Sequence, residues 1–148
     1  MTIMGLAGPA DFDAMIHHHE AGSMPPTIMW GSTPSLFDPS QAPAGKHTAF
    51  MWEKLPYAVG GDPRQWDQIK EEHGRKVLSA WSEHAPNVQD VLLDSFVRSP
   101  LDVERNLCNM RGGDLLVGAF SGDQVGYHRP FAGAGGYRGH LTGLYLCG

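Results

Sequence analysis

At 148 residues, with 41% hydrophobic and 18% charged content, the chain has the make-up of one globular domain, able to bury about two-thirds of its unfolded surface. A net charge of −5 and a pI near 5.8 exclude the basic footprint of a nucleic-acid or anionic-membrane binder. No apolar run approaches the roughly 18 residues needed to cross a bilayer, and Met1–Pro9 lacks the basic and apolar regions of a secretory signal.

The 19 glycines and 11 prolines predict many turns. Residues 5–26 read as a loop with one short helix near Asp11–His18. Thr27–Ser35 is a predicted strand, and Ser40-Gln41-Ala42-Pro43-Ala44-Gly45 is turn chemistry. It leads into a strand over Lys46–Lys54, where Thr48, Phe50 and Trp52 share one face. His47, Ala49, Met51 and Glu53 form a mixed opposite face suited to lining a cavity. Met29, Trp30, Phe50, Met51 and Trp52 are candidate pocket walls, although such residues more often pack a core.

The clearest element is a helix from Pro63 to about His84. Asp62 suits the N-cap, Pro63 the first turn, and Gln65 the third position of a capping box. Trp66, Ile69, His73, Val77, Ala80 and Trp81 recur at helical spacing, with Trp66, Ile69, Val77 and Trp81 expected to be buried. Gly74 weakens its middle by about 1 kcal/mol relative to alanine, and Pro86 stops it. Val88–Val97 is read as a strand. Ser99-Pro100-Leu101-Asp102 repeats the cap-and-proline logic and starts a short helix to about Asn106. Further strands are expected at Leu115–Phe120 and Leu141–Cys147. The fold class is α+β: a mostly antiparallel sheet carrying one long amphipathic helix and a short second one, with residues 1–148 as a single domain.

Chemistry-bearing motifs are sparse. His17-His18-His19 are consecutive and so cannot converge on one metal ion from a helix or strand, and His73 lies on an apolar face as a hydrogen-bonded core residue. No metal site is expected. Ser121 lacks the Gly-x-Ser-x-Gly elbow. Cys108 and Cys147, far apart, read as free thiols of a reducing cytoplasm. Gly133-Ala134-Gly135-Gly136-Tyr137-Arg138-Gly139 misses the Gly-x-Gly-x-x-Gly spacing and precedes no helix, so the chain has no dinucleotide-binding fingerprint.

An ordered series of motifs spans residues 11–148. It includes Phe12-Asp13-Ala14-Met15, Pro39–His47, Ala85-Pro86-Asn87, Ser99-Pro100-Leu101-Asp102-Val103-Glu104-Arg105, Gly112-Gly113-Asp114, Arg129-Pro130, Tyr137-Arg138 and Gly143-Leu144-Tyr145-Leu146-Cys147-Gly148. The series resembles the C-terminal part of phytoene-desaturase-like flavoproteins within the amine-oxidase superfamily. That resemblance implies the substrate-binding portion of an FAD-dependent oxidoreductase, without the Rossmann-type half that holds the FAD diphosphate. It implies that Tyr127, His128, Arg129 and Pro130 lie near the substrate side of the flavin ring, and that Leu146, Cys147 and Gly148 approach the flavin. For Arg129 an internal salt bridge with Asp123 or Asp114 is the equal alternative.

The chain alone is expected to bind no FAD and to be inactive. The resemblance further implies an apolar small-molecule substrate and completion by a homodimer or a complementary FAD-binding chain. The rival reading is a stand-alone binding or interaction module that has lost the flavin half.

Overall fold

The computed structural model describes residues 1–116, 118, 119 and 121–146, which divide into two compact units, Met1–Gly113 and Asp114–Gly148. The fold is α+β. In the first unit three short strands, β1 (Thr2–Met4), β2 (Met29–Ser32) and β3 (Phe50–Glu53), form an antiparallel sheet with β2 in the middle. Trp30 pairs with Ile3 on one side and Trp52 on the other, and Met29 pairs with Met4 and Glu53. Alternation along each strand then assigns the faces. Met4, Met29 and Glu53 share the buried face, while Ile3, Trp30, Phe50 and Trp52 share the other.

The expected strands are thus shortened. Thr27–Ser35 contracts to Met29–Ser32, because Thr33 turns the chain into a 3-10 turn at Pro34–Leu36. Lys46–Lys54 contracts to Phe50–Glu53, and the mixed face, not the aromatic one, turns inward. Gly31 makes the sheet possible at that register: a Cβ there would lie 2.1 Å from the Phe50 carbonyl oxygen. β1 carried no readable period in three residues. The predicted helix near Asp11–His18 is real and longer, as α1 (Pro9–Glu20), with Asp11 accepting from the Gly8 amide at 2.8 Å.

Asp62 caps a short 3-10 turn, Pro63–Gln65, by accepting from the Arg64 amide at 2.9 Å, and α2 (Trp66–Ser82) continues from it. Trp66 is 1% exposed and donates its indole N–H to the Pro56 and Tyr57 carbonyls at 3.1 and 3.2 Å. Ile69, Val77 and Trp81 on the same face are half-buried, as an amphipathic helix on a small sheet requires. Gly74 has a structural purpose that composition did not disclose. A Cβ there would sit 2.3 Å from Val97 Cγ2, so the missing side chain is the notch that receives Val97.

Val88–Val97 is not a strand. It opens as one helical turn, α3 (Val88–Val91), and Leu92–Arg98 then runs without a ladder partner. Its apolar residues never alternate, so no sheet face selects them. α4 (Pro100–Asn106) has the predicted cap in full: Ser99 Oγ accepts the Asp102 amide at 3.1 Å and Asp102 Oδ2 accepts the Ser99 amide at 3.0 Å. Leu101 and Val103 bury their side chains with Met4, Met29 and Trp66 as the apolar core. Two ion pairs tie α4 to α2, Lys70–Asp102 at 2.9 Å and a bidentate Arg105–Asp67.

In the second unit the two expected strands are absent among the described residues. Over 115–120, Asp114 accepts the amides of Leu116 and Gly118 and folds a turn where a strand was expected. Val117 and Phe120 of that segment lie outside the described residues. Over 141–147 one isolated bridge, Arg138 with Tyr145, replaces the strand, because Gly143 at φ +84° turns the chain back on itself. Cys147 lies outside the described residues.

Candidate functional site

Among the described residues two places stand out, a buried polar pair and an open, mostly apolar recess. The first is internal to the sheet–helix unit: His73 Nε2 on α2 meets Glu53 Oε2 on β3 at 2.5 Å, with side chains 11% and 7% exposed. His73 also sits edge-on to the Trp66 ring. Among the described residues Glu53 Oε1 has no hydrogen-bond partner. His73 is therefore the hydrogen-bonded core histidine its position on the helix predicted. The pair pins the helix to the inward face of β3.

The expected pocket walls separate across the sheet. Met29 is 1% exposed in the core. Trp30, Phe50 and Trp52 cluster on the opposite face, with Trp30 and Trp52 ring centroids 4.7 Å apart and Lys54 Nζ 4.6 Å from the Trp52 centroid. Tyr57, within the loop after β3, has its hydroxyl pKa pushed up by desolvation and then by the Glu104 carboxylate.

The second place is a recess of about 230 Å³ in the C-terminal unit, lined by Pro130, Phe131, Gly133, Ala134, Arg138, Gly139, His140, Leu141, Leu144 and Leu146. Its walls follow from glycine chemistry. Gly135 passes so close to the chain that a Cβ would lie 2.5 Å from the Gly126 carbonyl oxygen. The Gly133 amide donates to the Tyr127 carbonyl at 3.0 Å and the Ala134 amide to Phe131 at 3.0 Å. The return limb is held by Gly139 donating to the Leu144 carbonyl at 2.8 Å and Leu146 donating to Tyr137 at 2.7 Å. The Phe131 and His140 rings stack with centroids 5.4 Å apart and planes 14° from parallel.

Of the residues singled out from sequence, Pro130 and Leu146 are brought together in this wall. Tyr127 and His128 lie outside the lining, with rings edge-to-face at 5.3 Å. Arg129 reaches back to the Ala119 and Leu116 carbonyls, each at 3.3 Å. Cys147 and Gly148 lie outside the described residues. Phe131, His140, Leu141 and Leu144 were not anticipated as site residues, and the unusual glycine density around them was the only signal.

The three consecutive histidines of α1 have separate partners: His18 with Ser23, His19 with the Lys54 carbonyl, and His17 near Glu20. Among the described residues no three His, Cys, Asp or Glu side chains are grouped to hold a metal ion, and no helix is long and apolar enough to cross a membrane. Cys108 is an exposed free thiol.

Over 117 residues the chain is 35% identical to pyridine nucleotide-disulfide oxidoreductase domain-containing protein 2 of Rattus norvegicus, an overlap covering 78% of this chain and 20% of that one. The Mus musculus protein of the same name is 34% identical over 116 residues, with the same coverage. A limonene dehydrogenase subunit of Castellaniella defragrans is 24% identical over 154 residues, spanning 100% of this chain and 28% of that one. The chain thus spans between about a fifth and somewhat over a quarter of the length of these curated relatives. No protein-family model and no solved structure matches it. The similarities relate the chain to oxidoreductases.

Proposed function

We propose that this chain forms the substrate-facing portion of an FAD-dependent oxidoreductase of the phytoene-desaturase-like kind, acting on an apolar small molecule. The observation that carries the reading is the convergence of Pro130 and Leu146 on one apolar-walled recess, within a chain similar to named oxidoreductases over most of its length. In such an enzyme the cofactor supplies the redox chemistry and the protein supplies orientation and water exclusion. Here Phe131, Leu141, Leu144 and Leu146 would exclude water around the substrate. By the resemblance Tyr127, His128 and Arg129, which lie outside this lining, would stand near the substrate side of the flavin ring and Leu146 would approach the flavin; Cys147 and Gly148, given the same role by the resemblance, lie outside the described residues.

The described residues do not fit the FAD diphosphate. A phosphate cradle needs unspent amides at a helix start. In the glycine-rich loop the Gly133 and Ala134 amides are already bonded, Gly135 abuts the Gly126 carbonyl, and no helix follows. The diphosphate is therefore assigned to a complementary part of the enzyme, in the same polypeptide or in a partner chain. The limonene dehydrogenase relative is itself named as a subunit.

The test is flavin absorption of the purified chain after gel filtration, alone and after mixing with a separately produced FAD-binding half. The chain alone should be colourless and inactive, and the mixture should co-elute with flavin and reduce it with substrate. Stoichiometric FAD on the chain alone would overturn the division of labour. Sedimentation equilibrium over micromolar concentrations should show self-association of the isolated chain, and a monomer throughout would remove the homodimer.

A further inference from the structure

We propose that the segment Leu92–Arg98 is a docking strand for a second copy of this chain, pairing antiparallel with its own counterpart about a two-fold axis at Phe96. The proposal goes beyond the flavin reading and does not depend on it. It gives the expected self-association a surface and a register.

The segment is an unused strand. Among the described residues Leu92–Arg98 forms no helix, turn or bend, and no backbone hydrogen bond joins Leu93–Arg98 to the backbone of any other residue. Ser95 alone of these amides has a partner, the neighbouring Asp94 carboxylate at 2.8 Å. Large apolar side chains stand in solvent beside these free groups, Leu93 75% and Phe96 84% exposed. An unpaired extended edge of this kind is a template for another chain unless proline or lysine blunts it. The segment Leu92-Leu93-Asp94-Ser95-Phe96-Val97-Arg98 contains neither.

Alternation sets its faces. Val97 seats in the notch over Gly74 and so fixes the inward side, which Ser95 shares. Asp94, Phe96 and Arg98 then share the outward side. The Arg98 guanidinium lies 5.9 Å from the Phe96 ring, as neighbours on one face should.

Charge selects the partner. In an antiparallel pair centred on Phe96, Asp94 of each copy stands opposite Arg98 of the other, and the two Phe96 rings meet between these ion pairs. Opposite charges and aromatic pairs across a ladder stabilise it, whereas like charges do the reverse. A parallel pair would set Asp94 against Asp94 and Arg98 against Arg98. An antiparallel slip of two residues leaves each charge opposite Phe96, Leu92 or Pro100, and a slip of one turns the faces over. The segment is therefore complementary to itself, as a two-fold contact requires.

The backbone fits the same register. With the Ser95 amide already bonded, Asp94, Phe96 and Arg98 supply the paired positions, which exchange about six hydrogen bonds in all. The ladder ends there, because the Ser99 amide is committed to Asp102 Oδ2 at 3.0 Å and Pro100 has no N–H.

The experiment is sedimentation equilibrium of the whole chain and its variants over micromolar concentrations, with amide hydrogen exchange in parallel. The parent chain should dimerise, and the Asp94, Phe96 and Arg98 amides should exchange more slowly as concentration rises. Asp94→Arg or Arg98→Asp alone sets like charges together at both contacts and should weaken association at least about tenfold. The two swaps combined restore opposition and should return to within about threefold of the parent. Phe96→Asp should leave a monomer. All three positions are exposed, so the amides of α2 should stay equally protected in every variant. A combined swap no tighter than the single ones, a dimer that survives Phe96→Asp, or Phe96 protection independent of concentration would overturn the proposal. So would a monomer throughout, or protection of these amides only when an FAD-binding half is added. Flavin retention is read separately and is untouched by any of these outcomes.

Discussion

The two units differ in how they are held. Met1–Gly113 buries Met4, Met29, Trp66, Leu101 and Val103, and ties its helices together with ion pairs. Among the described residues of Asp114–Gly148 none is buried, and only Gln124, Arg129, Ala134 and Gly139 are half-covered. A segment below roughly 40 residues rarely holds a fold on hydrophobic burial alone. The second unit is shaped by local devices: aspartate-capped turns, glycine close approaches and one backbone bridge. One unit is a scaffold stabilised by packing. The other is held by turns, with its large apolar side chains exposed among the described residues.

The contrast is broken most directly by truncating one aromatic in each unit. Trp66→Ala should cost about 3–5 kcal/mol in denaturant unfolding, because it removes a fully enclosed ring and its indole donor. Phe131→Ala, with Phe131 53% exposed, should cost less than about 1 kcal/mol. Equal costs would dissolve the distinction. Native-state hydrogen exchange offers the same comparison without mutation. Amides of α2 should be protected close to the global limit, and those of 121–146 should exchange by local opening.

A smaller effect separates propensity from packing within the scaffold. Gly74→Ala would stabilise an exposed helix by about 1 kcal/mol. Here the new methyl meets Val97 at 2.3 Å, so overpacking should reverse the sign and destabilise by about 1–3 kcal/mol. Gly74→Ala combined with Val97→Ala should recover most of that loss, measured by the midpoint of urea unfolding.

The smallest expected effect is on acid stability. Burial opposes the charge of Asp102, and hydrogen bonds from Lys70 and Ser99 outweigh it and lower its pKa. A depressed carboxylate stabilises the fold above its unfolded pKa of about 3.9, and that contribution disappears as pH falls through the folded value. Asp67, bonded to Arg105, shifts in the same direction. Asp102→Asn should therefore flatten the fall in unfolding midpoint between about pH 5 and pH 3. An unchanged acid limb would show that the pair does not contribute.

Legibility followed the range of the interactions. The caps at Asp62 and Ser99 and the buried helix face were readable because a helix satisfies its backbone within a few residues of itself. His73 as a partnered core residue followed from the same face. Among the described residues the strands predicted at Val88–Val97, Leu115–Phe120 and Leu141–Cys147 are absent for one reason: a strand requires a partner elsewhere, and apolar runs alone do not supply one. The recess was half legible. Pro130 and Leu146 came from motif resemblance, but Phe131, His140 and Leu144 join them only through the turns at Gly133 and Gly143.

By itself the sequence determined the α+β class, the existence of the long helix, the capped start of α4 and the absence of a phosphate-binding fingerprint. All four depend on residues within a turn or two of one another. Tertiary structure decided which face of β3 turns inward, since Glu53 is buried only because His73 arrives from α2 to meet it. It also decided that Gly74 is a notch for Val97 and that Phe131 and His140 form one plate. Those outcomes join residues far apart or across a reversing turn, where side-chain fit, invisible to local propensity, selects the arrangement.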